Sequence, residues 1–143
     1  MSYQQLIKYS TVEEYREHYK EKYCKAPIES FDNLQIYFYE DRFDHAFYES
    51  SNYKGSKDIF SIKRAERIDW IERVLKDTTA ELFIGYDSLQ KNYNNTRRVA
   101  IINDDDYVVV IQLTRENRAK FITAYVADSP NSAKNIRSGP IWK

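Results

Sequence analysis

His45, Lys63, Arg64, Arg67, Thr123 and Tyr125 are the residues whose types and spacing could do chemistry. An imidazole ordinarily titrates near pH ~6.5, so His45 can take or give a proton at neutral pH. Arginine clamps a phosphate with a planar fork and lysine adds a point charge, and Lys63, Arg64 and Arg67 supply both. Thr123 and Tyr125 place a hydroxyl and a phenol two residues apart, on one side of a strand. A proton acceptor, a proton donor and cations around a crowded phosphate are what phosphodiester cleavage without a metal requires. Tyr48, Phe121 and Tyr125 are rings on which an unpaired base could stack, at about 1–3 kcal/mol each. Arg97 and Arg98 are neighbours in a strand, so they point to opposite faces and one of them can reach the same cleft. Each residue also has a plainer reading: His45 as a structural helix residue, the three cations as a solvated helix face, Thr123 and Tyr125 as ordinary strand residues.

The elements that must position them follow from periodicity. Tyr107–Val126 reads YVVVIQL, a polar turn TRENR, then AKFITAYV. Two β-branched, aromatic-rich runs around a short charged loop predict an antiparallel hairpin. Strict alternation puts Ile122, Ala124 and Val126 toward a core and Phe121, Thr123 and Tyr125 on the opposite face, the floor of a cleft. Leu82–Tyr86 and Arg98–Ile102 are two earlier strands, and Asp104-Asp105-Asp106 is the tip between Ile102 and Tyr107. Ser61 caps a helix whose apolar stripe is Ile62, Ala65, Ile68, Ile71 and Leu75, with Lys63, Arg64 and Arg67 outside it. Upstream, Leu34–Tyr39 is a short strand, Asp41 opens a short helix carrying His45, and ESSNYKGSKD over residues 49–58 is a loop. Val12, Tyr15, Tyr19 and Tyr23 mark one face of a first helix, capped from Ser10 or Thr11 and ending before Pro27. His18 falls off that stripe and reads as exposed. Residues 128–143, rich in Ser, Asn, Pro and Gly, read as an irregular tail.

Composition narrows the class. The 143 residues carry no net formal charge. Residues 1–53 hold 6 basic and 10 acidic side chains against 16 and 12 in residues 54–143. Only a local cationic cleft in the second part could serve a polyanion. The single cysteine, Cys24, excludes a disulfide framework, and two distant histidines give no zinc spacing. No apolar run is long enough to span a bilayer and no secretory signal opens the chain, which reads as soluble and cytoplasmic.

Helices first and strands last predict an α+β domain: N-terminal helices packed on one face of a four-stranded antiparallel β-meander, the other face open. FDHAFYESSNYKGSKDIFSIKRAERIDWI, RRVAII, YVVVIQL and KFITAYVAD together resemble the phage-associated nuclease domains of the barnase–EndoU–colicin E5/D–RelE group. The resemblance rests on a His on an early helix, basic residues on the next, and a Thr/Tyr pair in the last strand. It implies a nuclease domain over residues 31–143 after a helical extension over residues 1–30. It further implies a metal-independent endoribonuclease of toxin or phage-effector type, without cofactor, acting in a bacterial or phage-infected cell. RNA such as tRNA or mRNA, and a cognate inhibitor protein, would be its partners. Cleavage would proceed by attack of the 2′-hydroxyl on the adjacent phosphate. His45, Arg67, Thr123 and Tyr125 would be the catalytic set; Lys63, Arg64, Arg98, Tyr48 and Phe121 would hold the RNA.

Two other readings remain. Abundant tyrosine and mixed charge also suit a non-catalytic binding or inhibitory module that uses the same sheet to hold a protein or nucleic acid. The acidic tip Asp104–Asp106 could in principle take a cation, although ligands from elsewhere in the chain would be needed.

Overall fold

The computed structural model describes residues 5–49, 59–87 and 91–142. Residues 50–58 of the expected loop over 49–58, and residues 88–90, lie outside the described residues.

Helix α1, Val12–Tyr19, starts in the Thr11 register of the capping box. The Thr11 hydroxyl accepts the Glu14 N–H at 3.2 Å, and the Glu14 carboxylate accepts the Thr11 N–H at 3.1 Å. A π-helical turn, Lys20–Cys24, continues it. Tyr15, Tyr19 and Tyr23 are buried, and each phenol donates to a carbonyl, of Ile7, Tyr39 and Ile68 respectively. A buried tyrosine needs such a partner, so these bonds tie α1 to three distant segments.

The chain continues through β1 (Ile28–Glu29), β2 (Gln35–Tyr37), α2 (Arg42–Ala46), β3 (Tyr48–Glu49), β4 (Ile59–Phe60), α3 (Ile62–Ala65) and α4 (Trp70–Lys76). β5 (Glu81–Asp87), β6 (Asn92–Ile101), β7 (Tyr107–Arg115), β8 (Arg118–Val126) and α5 (Pro130–Arg137) complete it. The α+β class holds, but the sheet differs from a four-stranded antiparallel meander. It has six strands in the order β1-β2-β8-β7-β6-β5, and β2 joins β8 in parallel. β3 and β4 form a separate two-stranded ribbon. β2 is drawn beside β8 because Ile36 and Phe38 bury in the same cluster as Ala119 and Phe121, with Phe38 stacked on Phe121 at 4.9 Å.

One face of the sheet packs against the segments before β5. Its core joins Tyr107, Val109, Ile111, Ala100, Phe121 and Ala124 to Tyr19, Phe43, Phe47, Ile68, Ile71 and Leu75. Tyr15, Tyr19, Tyr23 and Ile28 bury in this same core. The second face carries Val108, Val110, Ile101 and Phe83, covered by Ala133 and Ile136 of α5. That helix replaces the irregular tail expected after residue 128. Ser129 caps it by accepting the Ser132 N–H, and Pro130 takes its first turn.

Three local departures matter for the site. The helix expected from Ser61 to Lys76 breaks between α3 and α4, because the Arg67 guanidinium takes the Lys63 carbonyl at 2.8 Å while its N–H bonds Arg64. In β8, pairing passes from Phe121↔Ile111 to Thr123↔Val110, so Ile122 is an extra residue in a β-bulge. The bulge reverses the alternation: Phe121 turns to the first core with Ala124, while Ile122 and Tyr125 pack with the second. Finally, the free edge of β5 is covered by the chain's own end. The Pro140 carbonyl accepts the Ile84 N–H at 2.8 Å and the Leu82 carbonyl accepts the Trp142 N–H at 3.0 Å. Among the described residues, no helix is long and apolar enough to cross a membrane.

Candidate functional site

α2 lies against the C-terminal half of β8, beyond the point where β2 stops pairing. Arg42 fixes it there, donating from Nη2 at 2.7 Å and Nε at 3.2 Å to the carbonyl of the bulge residue Ile122. At the other end of α2, Arg64 donates from Nη1 to the carbonyls of Ala46 and Tyr48 at 3.2 and 3.3 Å. Its guanidinium carbon stands 5.6 Å from the centre of the Tyr125 ring. His45, exposed on α2, is thus one residue from the carbonyl that Arg64 holds, and Arg64 in turn covers Tyr125. Tyr48 is half-buried, edge-on to Phe60. The Thr123 hydroxyl is buried without a hydrogen-bond partner among the described residues. Burial raises the Tyr125 phenol above its ordinary pKa, partly countered by Arg64, and lowers that of Arg64.

The other expected residues go elsewhere. Arg67 is nine-tenths buried, with Nη2 on the Asp105 carboxylate at 3.0 Å and its guanidinium over Trp70. Lys63 pairs with Asp128 at 3.0 Å. These two cations line a separate cleft of about 410 Å³ with Asp105, Asp106 and Asp128. Arg98 is 1% exposed; it faces the first core, bonded to Asp32 at 2.8 Å and lying over Phe31. Phe121 is fully buried on that same side. Neither is placed to touch RNA: Arg98 by its position in the alternation, Phe121 by the bulge.

It is Arg97 that reaches the second face. Its Nε donates to Gln112 Oε1 at 3.2 Å, and Lys120 stands opposite Gln112 on the other flank of β7. Tyr37 stands beside Lys120, with the Arg118 guanidinium 5.9 Å from its ring centre. The half of the second face that α5 leaves open therefore presents Arg97, Lys120, Arg118 and Arg42 around Gln112 and Tyr37. Among the described residues none of these four cations forms an ion pair. Arg42 has a lowered pKa, chiefly from burial, with Asp41 opposing the shift and Arg97 adding to it. Sequence reading missed Arg42 and Lys120. Lys120 was within reach, since it sits between Ala119 and Phe121, but running the alternation backwards from Val126 through the bulge assigns the wrong face.

The acidic tip is committed to arginines. Asp105 pairs with Arg67, and Asp106 with Arg137 at 2.9 Å, which also holds Glu81 at 2.7 Å. Asp105 and Asp106 both have left-handed backbone, with φ of 55° and 51°. Among the described residues, no group of three His, Cys, Asp or Glu side chains converges to hold a metal.

His18 is not the exposed helix residue its spacing suggested. Nε2 lies 2.7 Å from Asp69 Oδ1 and Nδ1 lies 2.8 Å from the Tyr9 phenol oxygen. This carboxylate–imidazole–phenol chain joins α1 to the start of α4 and to the segment before Thr11. No sequence signal marks it, because its three members are spread over residues 9–69. Scans against family models, curated proteins and solved structures return no match to this chain.

Proposed function

We propose that this chain binds RNA on the open half of the second sheet face and cleaves it as a metal-independent endoribonuclease of toxin or phage-effector type. The observation that carries the reading is the band of Arg42, Arg97, Arg118 and Lys120, free of ion pairs among the described residues, beside Thr123 and Tyr125. A polyanion is drawn to such a band, and aromatic rings beside it suit unpaired bases. His45, exposed at the end of α2 near Arg64, is the group to move a proton from the attacking 2′-hydroxyl. Tyr125, whose ring lies under the Arg64 guanidinium, is the group to give a proton to the leaving 5′-oxygen. Arg64, which holds the Ala46 carbonyl and lies over the Tyr125 ring, would take the phosphate-holding role expected of Arg67.

The test is incubation of the folded protein with unstructured RNA in EDTA. The expected products end in a 2′,3′-cyclic phosphate. His45→Ala is expected to slow cleavage by about 10²–10⁴-fold while leaving RNA retention unchanged. Intact RNA after long incubation would overturn the catalytic part. A second reading, a binding module without chemistry, draws on the ion pairs that occupy Lys63 and Arg67. It predicts retention of RNA or protein partner with no cleavage in the wild type.

A further inference from the structure

We propose that Arg42, Arg97 and Lys120 form a subsite for one phosphodiester of single-stranded RNA, floored by Gln112 and Thr123. The inference rests on the RNA-binding reading above and says where on the face the backbone is held. Gln112 is the centre: Arg97 bonds it from β6, and Lys120 is its register partner on β8. Arg42 arrives over the edge of β8 at Ile122, two residues beyond Lys120. Three side chains from three separate elements therefore bring positive charge to one patch.

The donors left over fit an anion. Arg42 spends Nε and Nη2 on Ile122, which leaves Nη1 uncommitted among the described residues. Among the described residues Arg97 spends only Nε, leaving both terminal nitrogens. The Lys120 ammonium has no partner among the described residues, and it is exposed. Strand residues on this face around the patch are Arg97, Val99, Gln112, Val110, Lys120, Thr123 and Tyr37, none of them acidic. Asp41 stands near Arg42, but the three cations outnumber it, and the two non-bridging oxygens of a phosphodiester add the negative charge that is missing. The Thr123 hydroxyl lies buried beneath the patch, next to the bulge, without a partner among the described residues. Tyr37, half-buried beside Lys120, offers its ring to an adjoining unpaired base.

The experiment measures affinity for an unstructured RNA oligonucleotide across a salt series. Arg97→Gln, Lys120→Gln and Arg42→Gln are each expected to flatten the slope of log K against log salt by about 0.7, one contact's worth on a single strand. Lys25→Gln, whose partner is Glu21, should leave the slope unchanged. Inorganic phosphate should compete with the RNA, and a DNA oligonucleotide of the same sequence should show the same slope changes. Unchanged slopes in Arg97→Gln and Lys120→Gln, with wild-type melting, would overturn the subsite even if Arg42→Gln fails to fold. A loss of RNA affinity without a slope change, absent with DNA, would move the contact to ribose and overturn the phosphate assignment. Binding with these slopes but without cleavage would sink the nuclease reading alone.

Discussion

Gly85 and Arg97 are packed so closely that a Cβ on Gly85 would stand 2.4 Å from Arg97 Cγ and 2.8 Å from its Cδ. The absent side chain on β5 is what lets the Arg97 stem lie across the sheet to Gln112. Gly85→Ala forces that stem aside, and because the contacts fall on Cγ and, at 3.2 Å, on Cβ at the root of the side chain, the strand must give as well. Glycine costs a strand about 0.5–1 kcal/mol relative to alanine, which offsets part of that strain, so a small net loss of stability is expected. RNA affinity should fall about as far as in Arg97→Gln. Equilibrium unfolding and filter binding on the same variant check both halves.

The His18–Asp69 contact gives acid sensitivity of known sign. The hydrogen bond from His18 is the main reason the Asp69 carboxyl sits below its ordinary pKa; burial opposes it and Lys22 assists. A carboxyl that ionises more readily folded than unfolded stabilises fully above its unfolded pKa, and that contribution fades as pH falls through the folded value. Asp69→Asn should therefore cost about 1.5 kcal/mol near pH 6, the scale of a hydrogen bond to a charged group, and far less below pH ~3. Urea unfolding of both proteins at the two pH values tests it; an equal gap at both would refute the assignment.

How much of this was readable from the residues differs element by element. A cap at Ser10 or Thr11, the Ile62–Leu75 stripe and the strands of Tyr107–Val126 follow from local pattern; Thr11 takes the cap, the strands are found, and the stripe is buried from Ala65 onward while Ile62 is 61% exposed. The bulge at Ile122 does not, because β-branched and aromatic residues tolerate either face, and only pairing to Val110 and Ile111 decides. The α3–α4 break depends on a side chain, Arg67, competing for the Lys63 carbonyl, which helix periodicity does not register. α5 was hidden by polar composition: among the described residues, Ala133 and Ile136 are its apolar anchors in the second core. Arg97 and Arg98 point to opposite faces, as neighbours in a strand must, but Arg98, the one expected to hold RNA, is the buried one, and that depends on Asp32 from the β1–β2 turn.

Arg67 and Asp105 test whether the acidic tip is structural. Asp105→Asn keeps a residue that tolerates the left-handed backbone but removes the carboxylate from a nearly buried guanidinium. The expected loss is about 1–2 kcal/mol, limited because Glu66 remains 3.4 Å from Nη1 and Asp105 is half-exposed. Since Arg67 and Arg137 already hold Asp105 and Asp106, millimolar magnesium, calcium or manganese should leave the wild-type melting temperature unmoved. A metal-induced rise that disappears in Asp105→Asn would revive the cation reading of the tip.

The last prediction concerns the covered edge of β5. Pro140 and Trp142 satisfy the Ile84 N–H and the Leu82 carbonyl, and Ile141 bridges to Phe83. Removing the residues after Ser138 would leave those groups facing outward along a seven-residue strand. An uncovered edge of that kind is a template for pairing with another chain. The truncated protein should self-associate in a concentration-dependent way, seen by sedimentation, while its core still unfolds cooperatively. Replacing Ile141 by lysine in the full chain leaves the backbone bonds in place and should not cause association. If that variant associates as strongly as the truncation, loss of side-chain cover, not of backbone pairing, is the cause.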